Sequence, residues 1–396
     1  MICGLDIGTS KTKILLVERN KEGNLELISK AEEPTEGVRR GVIIDGEKVS
    51  NILSVLFQKI AAEVGEKINS VYTALNGSHL FSVFSRGLIS VSRADQKISE
   101  EDVQRVLQAA QTINLPSNKE IFDAIVKEFI VDGQAEVKKA VGLQGVRLEA
   151  EVLALGGFSP YLENQKKAIL GADLEVLDAI PAPVAAARAV LNEKQKELGV
   201  AVVDIGAGTT GLAVFEEGDL LHLAVLPIGS DNITDDIAIG LKIDVEVAER
   251  IKQEYGSCLF KGKDMRQKIN FGGNAPLIFS KKFLVKIISD RVSELFNLVN
   301  QELKKIRKEK LLPGGIVLTG GGAKLPKILD LAKDKLHLPV RIGRPKGIFG
   351  LEEDLRLAVV CGLVLYGAEC QAEEKNFKFG SGITSKIKKF LRIFIP

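Results

Sequence analysis

The chain contains few of the residues from which metal clusters and nucleophilic catalytic sites are usually built. Its 396 residues include four cysteines and three histidines. No two cysteines form a Cys-x-x-Cys pair, and the histidines are scattered. A zinc cluster and a histidine-based catalytic triad therefore have little support. The residues concerned are Cys3, Cys258, Cys361, Cys370, His79, His222 and His337.

The sequence also lacks a strong charge excess and a long apolar run. The formal net charge is +2, whereas a general nucleic-acid binder usually has a marked basic excess, so we expect no nucleic-acid partner. No apolar run approaches the roughly 20 residues needed to span a bilayer, and no signal peptide is evident. Unpaired cysteines without such a signal predict reduced thiols in the cytosol.

Two matched glycine turns are the most informative feature that is present. Residues 6–11 read DIGTSK and residues 204–210 read DIGAGTT, and each turn joins two apolar, strand-like runs. Glycine lets the backbone approach an anion, consecutive N–H groups form an anion nest, and hydroxyl groups add donors. The aspartate fits if Mg²⁺ lies between it and a phosphate. Two such hairpins predict a clamp for one nucleoside triphosphate, and the alternative is a turn that only closes a hairpin.

A third glycine turn follows the apolar run 316–318. Gly320, Gly321 and Gly322 come between that run and the next predicted helix. Three glycines leave a flat floor without side chains, on which a purine ring could lie. Taken alone the turn is weak evidence, because strand-to-helix connections are often rich in glycine.

The strand and helix patterns around these turns predict two related α/β halves. Each hairpin begins a strand–helix series, and an α+β stretch of different character separates the two series. We interpret residues 81–159 as an inserted domain. The ligand is expected in the cleft between the halves, where the hairpins meet.

These motifs resemble the actin, Hsp70 and sugar-kinase ATPase superfamily. The two hairpins are similar to its phosphate 1 and phosphate 2 segments, residues 319–323 to its adenosine segment, and residues 184–191 and 358–367 to its two interdomain helices. Within the superfamily the pattern resembles the FtsA family of bacterial division proteins. The motifs that carry this likeness are Gly77-Ser78-His79, 131–134 (VDGQ), 142–149 (GLQGVRLE) and 233–238 (ITDDIA).

The resemblance implies the actin-like ATPase fold with an inserted 1C subdomain, and ATP with Mg²⁺ as ligands. Asp6 and Asp204 would hold Mg²⁺, mostly through water. The alternative for Lys11 is an ordinary surface lysine in a turn. The alternative for Glu249 and Lys252 is a solvated helix face. No residue that orients an attacking water is evident, so we expect slow or no ATP hydrolysis. The implied nucleotide contacts are Gly8, Thr9, Ser10, Lys11, Gly206, Gly208, Thr209, Thr210, Gly229, Glu249, Lys252, Gly320, Gly321 and Gly322.

The same resemblance suggests subdomain boundaries. We expect a polar linker over 371–382 and a terminal amphipathic helix over 383–396. The remaining boundaries are 1–80 and 160–192 for subdomain 1A, 81–159 for 1C, 193–230 and 307–353 for 2A, 231–306 for 2B, and 354–370 for the helix that returns to 1A.

The last residues alternate apolar and basic side chains at helical spacing. A helix of this length is too short to span a bilayer but can lie in the interface, with its cations on anionic headgroups. The alternatives are a helix docked on the protein's own core and a helix held in a partner's groove. The residues expected to bind the membrane are Ile383, Lys386, Ile387, Lys388, Lys389, Phe390, Leu391, Arg392 and Phe394.

A basic stretch in the second half completes the functional prediction. Residues 256–286 contain seven lysines or arginines and one acid, Asp264, and the family places the site for the FtsZ tail in this region. We therefore expect Lys281, Lys282 and Lys286 to bind that acidic tail, with a solvated basic face as the alternative.

The expected function is an ATP-binding division protein. It polymerises with copies of itself and tethers FtsZ to the cytoplasmic face of the inner membrane at the division site, while 1C contacts later division proteins. The alternatives are a pilus-assembly relative and a sugar-kinase-type phosphotransferase. The terminal helix argues against both, and the kinase would also need a carboxylate base that does not stand out.

Overall fold

The structure is a computed structural model that describes residues 1–263, 266–269 and 277–377. In its first part the hairpin predicted at the N-terminus is present, followed by a third strand and the first long helix. The elements up to residue 75 are β1 (Ile2–Ile7), β2 (Lys11–Arg19), β3 (Leu25–Pro34), β4 (Val38–Arg39), β5 (Val42–Ile43), α1 (Gly46–Val64) and β6 (Ser70–Leu75).

Residues Phe81–Phe158 form a unit of their own, which we call the inserted segment. Four strands pair with one another, and a helix packs on one face of them. Ser99 caps that helix by accepting a hydrogen bond from Asp102 N. Its elements are β7 (Phe81–Ser90), α2 (Glu100–Gln111), β8 (Lys119–Val131), β9 (Ala135–Val137) and β10 (Arg147–Phe158).

The rest of the described chain returns to the first half and then builds the second. Its elements are α3 (Ser159–Leu170), β11 (Glu175–Pro181), α4 (Ala182–Val190), α5 (Glu193–Leu198), β12 (Val200–Ile205), β13 (Thr210–Glu216), β14 (Asp219–Leu226), α6 (Ser230–Leu241), α7 (Val245–Tyr255), β15 (Arg266–Ile269), β16 (Leu277–Ser280), α8 (Lys281–Lys305), β17 (Ile316–Thr319), α9 (Ile328–Leu336), β18 (Val340–Ile342), β19 (Ile348–Phe349) and α10 (Ala358–Phe377).

Sheet topology confirms two related α/β halves. In the first half an antiparallel meander, β1–β2–β3, is extended on the β1 side by β6 and β11, which run parallel. In the second half β12–β13–β14 is extended in the same way by β17 and β18. The inserted segment joins the outer strand of the second meander through one pair, Ala224 with Phe81.

Helices α4 and α10 cross between the halves. A Cβ on Gly362 would lie 1.7 Å from the Ala185 carbonyl oxygen, so only glycine permits this approach. The surrounding core contains buried apolar residues from both meanders, such as Leu15 and Val202. The window Leu355–Ala372 has the length and composition of a membrane span, but 61% of it is buried inside the protein. It is therefore a core helix that connects the two halves.

Three regions contain regular structure that the sequence patterns did not reveal. Residues 256–282 contain the β15–β16 pair. Strand β3 was not expected at all. Helix α10 continues to Phe377, so the first part of the expected linker, 371–377, is helical. The remaining linker residues and the predicted membrane helix, 383–396, lie outside the described residues.

Candidate nucleotide site

The two glycine turns have the same backbone geometry. In the first, Asp6 lies opposite Lys13 and the Gly8 amide donates to the Lys11 carbonyl at 3.2 Å. In the second, Asp204 lies opposite Gly211 and the Gly206 amide donates to the Thr209 carbonyl at 2.9 Å. The Gly8 and Gly206 amides therefore close their own turns, and any anion must bind to the amides that follow them.

Both turns face one cavity of about 980 Å³ between the halves. They also touch each other, since a Cβ on Gly208 would lie 2.8 Å from Thr9 Oγ1. The sequence-predicted residues that line the cavity are Asp6, Gly8, Thr9, Ser10, Lys11, Asp204, Gly206, Thr209, Glu249, Lys252, Gly320, Gly321 and Gly322.

Two carboxylates and one ammonium group carry the charge at the centre of the cavity. Lys13 Nζ donates to Asp6 Oδ2 at 3.0 Å, and Asn76 Nδ2 lies 3.5 Å from Asp6 Oδ1. Burial acts to lower the pKa of Lys13, but the charge and hydrogen bond of Asp6, with Asp204 and Glu32, outweigh it and raise that pKa. Burial and the nearby Asp6 charge raise the pKa of the Asp204 carboxyl to about 7, against a weaker opposing effect of Lys13.

The donor set suits a divalent cation. With both aspartates ionised, the single Lys13 ammonium leaves one negative charge uncompensated beside the phosphate-type turns. Within the described residues no group of three or more His, Cys, Asp or Glu side chains could hold a metal. The nearby carboxylates of Asp6 and Asp204 fit Mg²⁺, which typically takes one or two carboxylates and completes its shell with water and phosphate oxygens.

The lysine nearest this centre is Lys13, which sequence reasoning missed. Lys11 lines the cavity, but its ammonium group forms an ion pair with Glu32 on β3. The Lys11 side chain is 38% exposed, whereas that of Lys13 is 14% exposed. The hairpin register could have identified Lys13, because it lies directly opposite Asp6.

The glycine turn after β17 forms one wall of the cavity. Gly320 has φ +82°, and a Cβ there would lie 2.3 Å from Asp204 Oδ1, so a side chain would displace the carboxylate. Gly321 is more open, its nearest neighbour being Arg356 Cγ at 3.6 Å from a Cβ position. Arg356 also lines the cavity and pairs with Asp354 at 2.8 Å. This wall could accept a flat ring.

The opposite wall is formed by α6 and α7. Lys252 is buried, and its Nζ lies 2.6 Å from Glu249 Oε2 and 2.7 Å from Thr234 Oγ1. It also donates to the Ser230 carbonyl at 3.0 Å. Burial acts to raise the pKa of Glu249, but the hydrogen bonds from Lys252 and Thr234 outweigh it and hold that pKa below its usual value. The carboxylate of Glu249, which these contacts hold in position, could accept hydrogen bonds from ribose hydroxyls.

Three of the expected contact residues lie elsewhere. Thr210 is fully buried and its hydroxyl donates to the Ile228 carbonyl at 2.8 Å, so it does not face the cavity. Gly208 is buried against Thr9, and Gly229 packs on the second turn, where a Cβ would lie 2.2 Å from the Ala207 carbonyl oxygen. Gly208 and Gly229 therefore allow close backbone packing around the turns.

The predicted partner lysines lie near the start of α8. Lys282 and Lys286 line a second cavity of about 410 Å³, whereas Lys281 does not. The same cavity is lined by Leu259, Phe260 and Phe283, the last of which is 45% exposed. An apolar surface thus lies beside two of the three lysines, which the charge pattern alone did not reveal.

Comparison with known proteins identifies the family. The sequence model of the cell division protein FtsA matches residues 201–362, and that of the SHS2 domain inserted in FtsA matches residues 77–155. FtsA of Pseudomonas aeruginosa is 35% identical over 379 residues, covering 94% of this chain and 90% of the relative. FtsA of Bacillus subtilis is 36% identical over 380 residues, covering 94% and 86%.

Solved structures show the same fold at low sequence identity. The PilM–PilN type IV pilus biogenesis complex matches with a TM-score of 0.65 and 20% identity, covering 93% of this chain and 98% of that one. MreB5 of Spiroplasma citri bound to ADP matches with a TM-score of 0.56 and 16% identity, covering 96% and 98%. The fold is therefore the actin-like ATPase fold, and the chain belongs to the FtsA family of cell division proteins.

Proposed function

We propose that this chain is an ATP-binding division protein that polymerises and tethers FtsZ to the cytoplasmic face of the inner membrane at the division site. The observation that carries the proposal is the convergence of both phosphate-type turns, with Asp6 and Asp204, on one cavity. The actin-like fold implies nucleotide binding there. The direct test is titration of the full chain with ATP in Mg²⁺ and in excess chelator. Binding that needs Mg²⁺ supports the proposal, and no binding at millimolar ATP contradicts it.

In this proposal Asp6 and Asp204 hold Mg²⁺, which supplies charge neutralisation for the phosphates when it is bound. The amides of residues 9–11 and of Ala207 and Thr209, with the Ser10 and Thr209 hydroxyls, receive the phosphates, and Lys13 adds a cation beside Asp6. The residues near Gly211 are apolar: Ala182, Pro183 and Val225 line the cavity there. Such a wall offers no side chain that removes a proton from water, so turnover is expected to be slow.

The FtsZ tail is proposed to bind at the second cavity. Lys282 and Lys286 provide positive charge beside the apolar surface of Phe260 and Phe283, which suits an acidic peptide with apolar side chains. Reversing both charges, Lys282→Glu with Lys286→Glu, should weaken binding of such a peptide about tenfold or more at low salt. The matched control is Lys304→Glu with Lys305→Glu at the far end of α8. Equal loss in both variants would contradict the site.

Membrane tethering is proposed to reside in residues 383–396. Each basic residue near an anionic surface contributes about 1 kcal/mol, so one segment binds weakly and many segments in a polymer bind strongly. Removing residues 383–396 should abolish sedimentation with anionic vesicles while nucleotide binding is unchanged. Neutral vesicles serve as the control for charge. Unchanged sedimentation of the truncated chain would contradict the tether.

The two alternative functions have less support. The pilus complex shares the fold at 20% identity, whereas FtsA relatives reach 35 to 36% over nearly the whole chain. A phosphotransferase needs a carboxylate positioned for the acceptor hydroxyl, and the carboxylates of the cavity centre, Asp6 and Asp204, are those proposed for Mg²⁺.

A further inference from the structure

His79 lies where the chain enters and leaves the inserted segment. It precedes β7, which leads into the segment, and it contacts Phe158, the last residue of β10, which leads out. His79 Nε2 lies 3.0 Å from the Asn76 carbonyl oxygen, and the Phe158 amide donates to Nδ1 at 3.2 Å. A carbonyl only accepts, so Nε2 carries the proton and Nδ1 the lone pair. Both bonds require the neutral ring.

The packing around this imidazole is tight. The rings of His79 and Tyr161 meet edge to face with centroids 5.2 Å apart, and Tyr161 meets Phe158 at 4.8 Å. A Cβ on Gly157 would lie 3.1 Å from His79 Nδ1. Burial lowers the pKa of His79, in agreement with the neutral ring that the hydrogen bonds require. The ring is thus held in one position and one tautomer.

Two series of contacts lead from the first phosphate turn to His79. In one, Asn76 lines the cavity with its amide near Asp6, and its carbonyl accepts from His79. In the other, the Gly41 amide donates to Thr9 Oγ1 at 2.9 Å. A Cβ on Gly41 would lie 2.8 Å from Gly77 N, and one on Gly77 would lie 2.9 Å from the His79 ring. The second series places Thr9, the backbone at Gly41 and Gly77, and the His79 ring in close succession.

Thr9 also touches the second turn at Gly208. Any ligand that draws the two turns together must therefore shift Thr9, the backbone at Gly41 and Gly77, and the imidazole. We propose that His79 is a positioning residue that couples ligand occupancy of the cavity to the conformation of the inserted segment. This inference rests on the proposed function, namely that the cavity binds a Mg²⁺-nucleotide. Coupling of this kind is a free energy shared by two sites.

A second imidazole offers the contrast. His222 Nε2 lies 3.0 Å from Glu302 Oε2, and its Nδ1 lies 3.3 Å from Ser82 Oγ of β7. It ties the inserted segment to the second half, but it does not line the cavity and does not contact either phosphate turn. Replacing His222 should loosen the segment without removing its response to ligand.

The experiment is hydrogen exchange of the full chain with and without Mg²⁺ and a non-hydrolysable ATP analogue. In the native chain, amides of residues 81–90 and 147–158 should exchange about fivefold more slowly with ligand, the lower end of usual coupling. His79→Ala should bring that ratio close to one, while its nucleotide affinity stays within about threefold of the native value. Tyr161→Phe and His222→Gln should retain the response.

The outcomes separate this inference from the proposed function. If the native chain does not bind the analogue, the proposed function fails, and the inference with it. If it binds and the segment's exchange is unchanged, or if His79→Ala keeps the full response, the inference alone is overturned. Should His79→Ala not fold, His79→Gln replaces it. The glutamine amide can still reach the Asn76 carbonyl but lacks the rigid ring, so the response should again be lost.

Discussion

The two hairpins share a backbone and differ in the residues that their registers bring side by side. In the first half, Asp6, Lys13 and Glu32 lie opposite one another on three neighbouring strands. In the second half, the equivalent positions hold Asp204, Gly211 and Val225. One aspartate therefore has a lysine beside it, and the other has a glycine and an apolar wall. The duplicated fold thus provides one compensated carboxylate and one with a raised pKa.

This asymmetry assigns different tasks to the two halves. Asp6 pairs with Lys13 in the absence of ligand, so this pair stabilises the folded chain. Asp204 is desolvated and repelled by Asp6, so its ionised form is costly until a cation arrives.

The largest effect is expected from Lys13→Met. Lys13 is the only ammonium group that pairs with Asp6 in the part of the chain that the structure describes, so its removal leaves two close carboxylates without compensation. The free energy of unfolding should fall by about 3 kcal/mol, the scale found when one partner of a buried pair is removed. Denaturant unfolding without nucleotide measures this change.

Lys11→Met is the matched control, two residues away on the same strand. Its partner Glu32 is exposed at the surface, so the loss should be under about 1 kcal/mol. Equal losses in the two variants would mean that the Asp6–Lys13 pair has no special role.

The sequence predicts the turns of this site but not all of the contacts between its strands. Both turns, their aspartates and the glycine floor were recognisable, because glycine beside an acid after an apolar run has a clear chemical meaning. The β1–β2 register alone would have placed Lys13 opposite Asp6. The ion pair that holds Lys11 depends on Glu32 of β3, and β3 was not foreseen. Its residues alternate polar and apolar only loosely, so the position of Glu32 opposite Lys13 emerged only from the register.

Tertiary packing explains the other differences. Thr210 resembles a phosphate-binding hydroxyl in sequence, but its side chain satisfies the buried Ile228 carbonyl. Asn76 and Thr234 belong to the cavity although they are distant in sequence from both turns. Thr234 lies in the family motif 233–238, but nothing in the sequence of that motif assigns it to the cavity. Helix α10 extends over 371–377 because the first half of α10 is anchored at the Gly362 crossing. Such contacts depend on how the elements are assembled.

The second prediction concerns pH. The Asp204 pKa is about 7 in the folded chain against 3.8 ordinarily. Between these values the unfolded chain has lost the proton and the folded chain keeps it, so the free energy of unfolding falls as pH rises through this window and levels above it. Asp204→Asn should remove this decline and raise stability at pH 8, as followed by unfolding across pH.

Ligand binding should show the opposite trend with pH. A cation requires the ionised carboxylate, so Mg²⁺-dependent nucleotide affinity of the native chain should drop below pH 7, by up to about tenfold per unit. Asp204→Asn should bind more weakly, and over this range its affinity should vary little with pH. Asp6→Asn is the counterpart, because it loses the Lys13 partner and should destabilise the chain. An identical pH dependence in native and Asp204→Asn chains would refute the asymmetry.

The smallest effect concerns the position that Lys13 occupies in the first hairpin. Its equivalent, Gly211, packs against Pro183 of α4, and a Cβ there would lie 2.4 Å from Pro183 Cγ. Gly211→Ala should therefore overpack this contact and lower the free energy of unfolding by about 1 kcal/mol. Gly46→Ala is the control, since its nearest neighbour would be 3.9 Å away. If both variants are equally stable, the second half could have accepted a side chain here, and the missing lysine would not follow from packing.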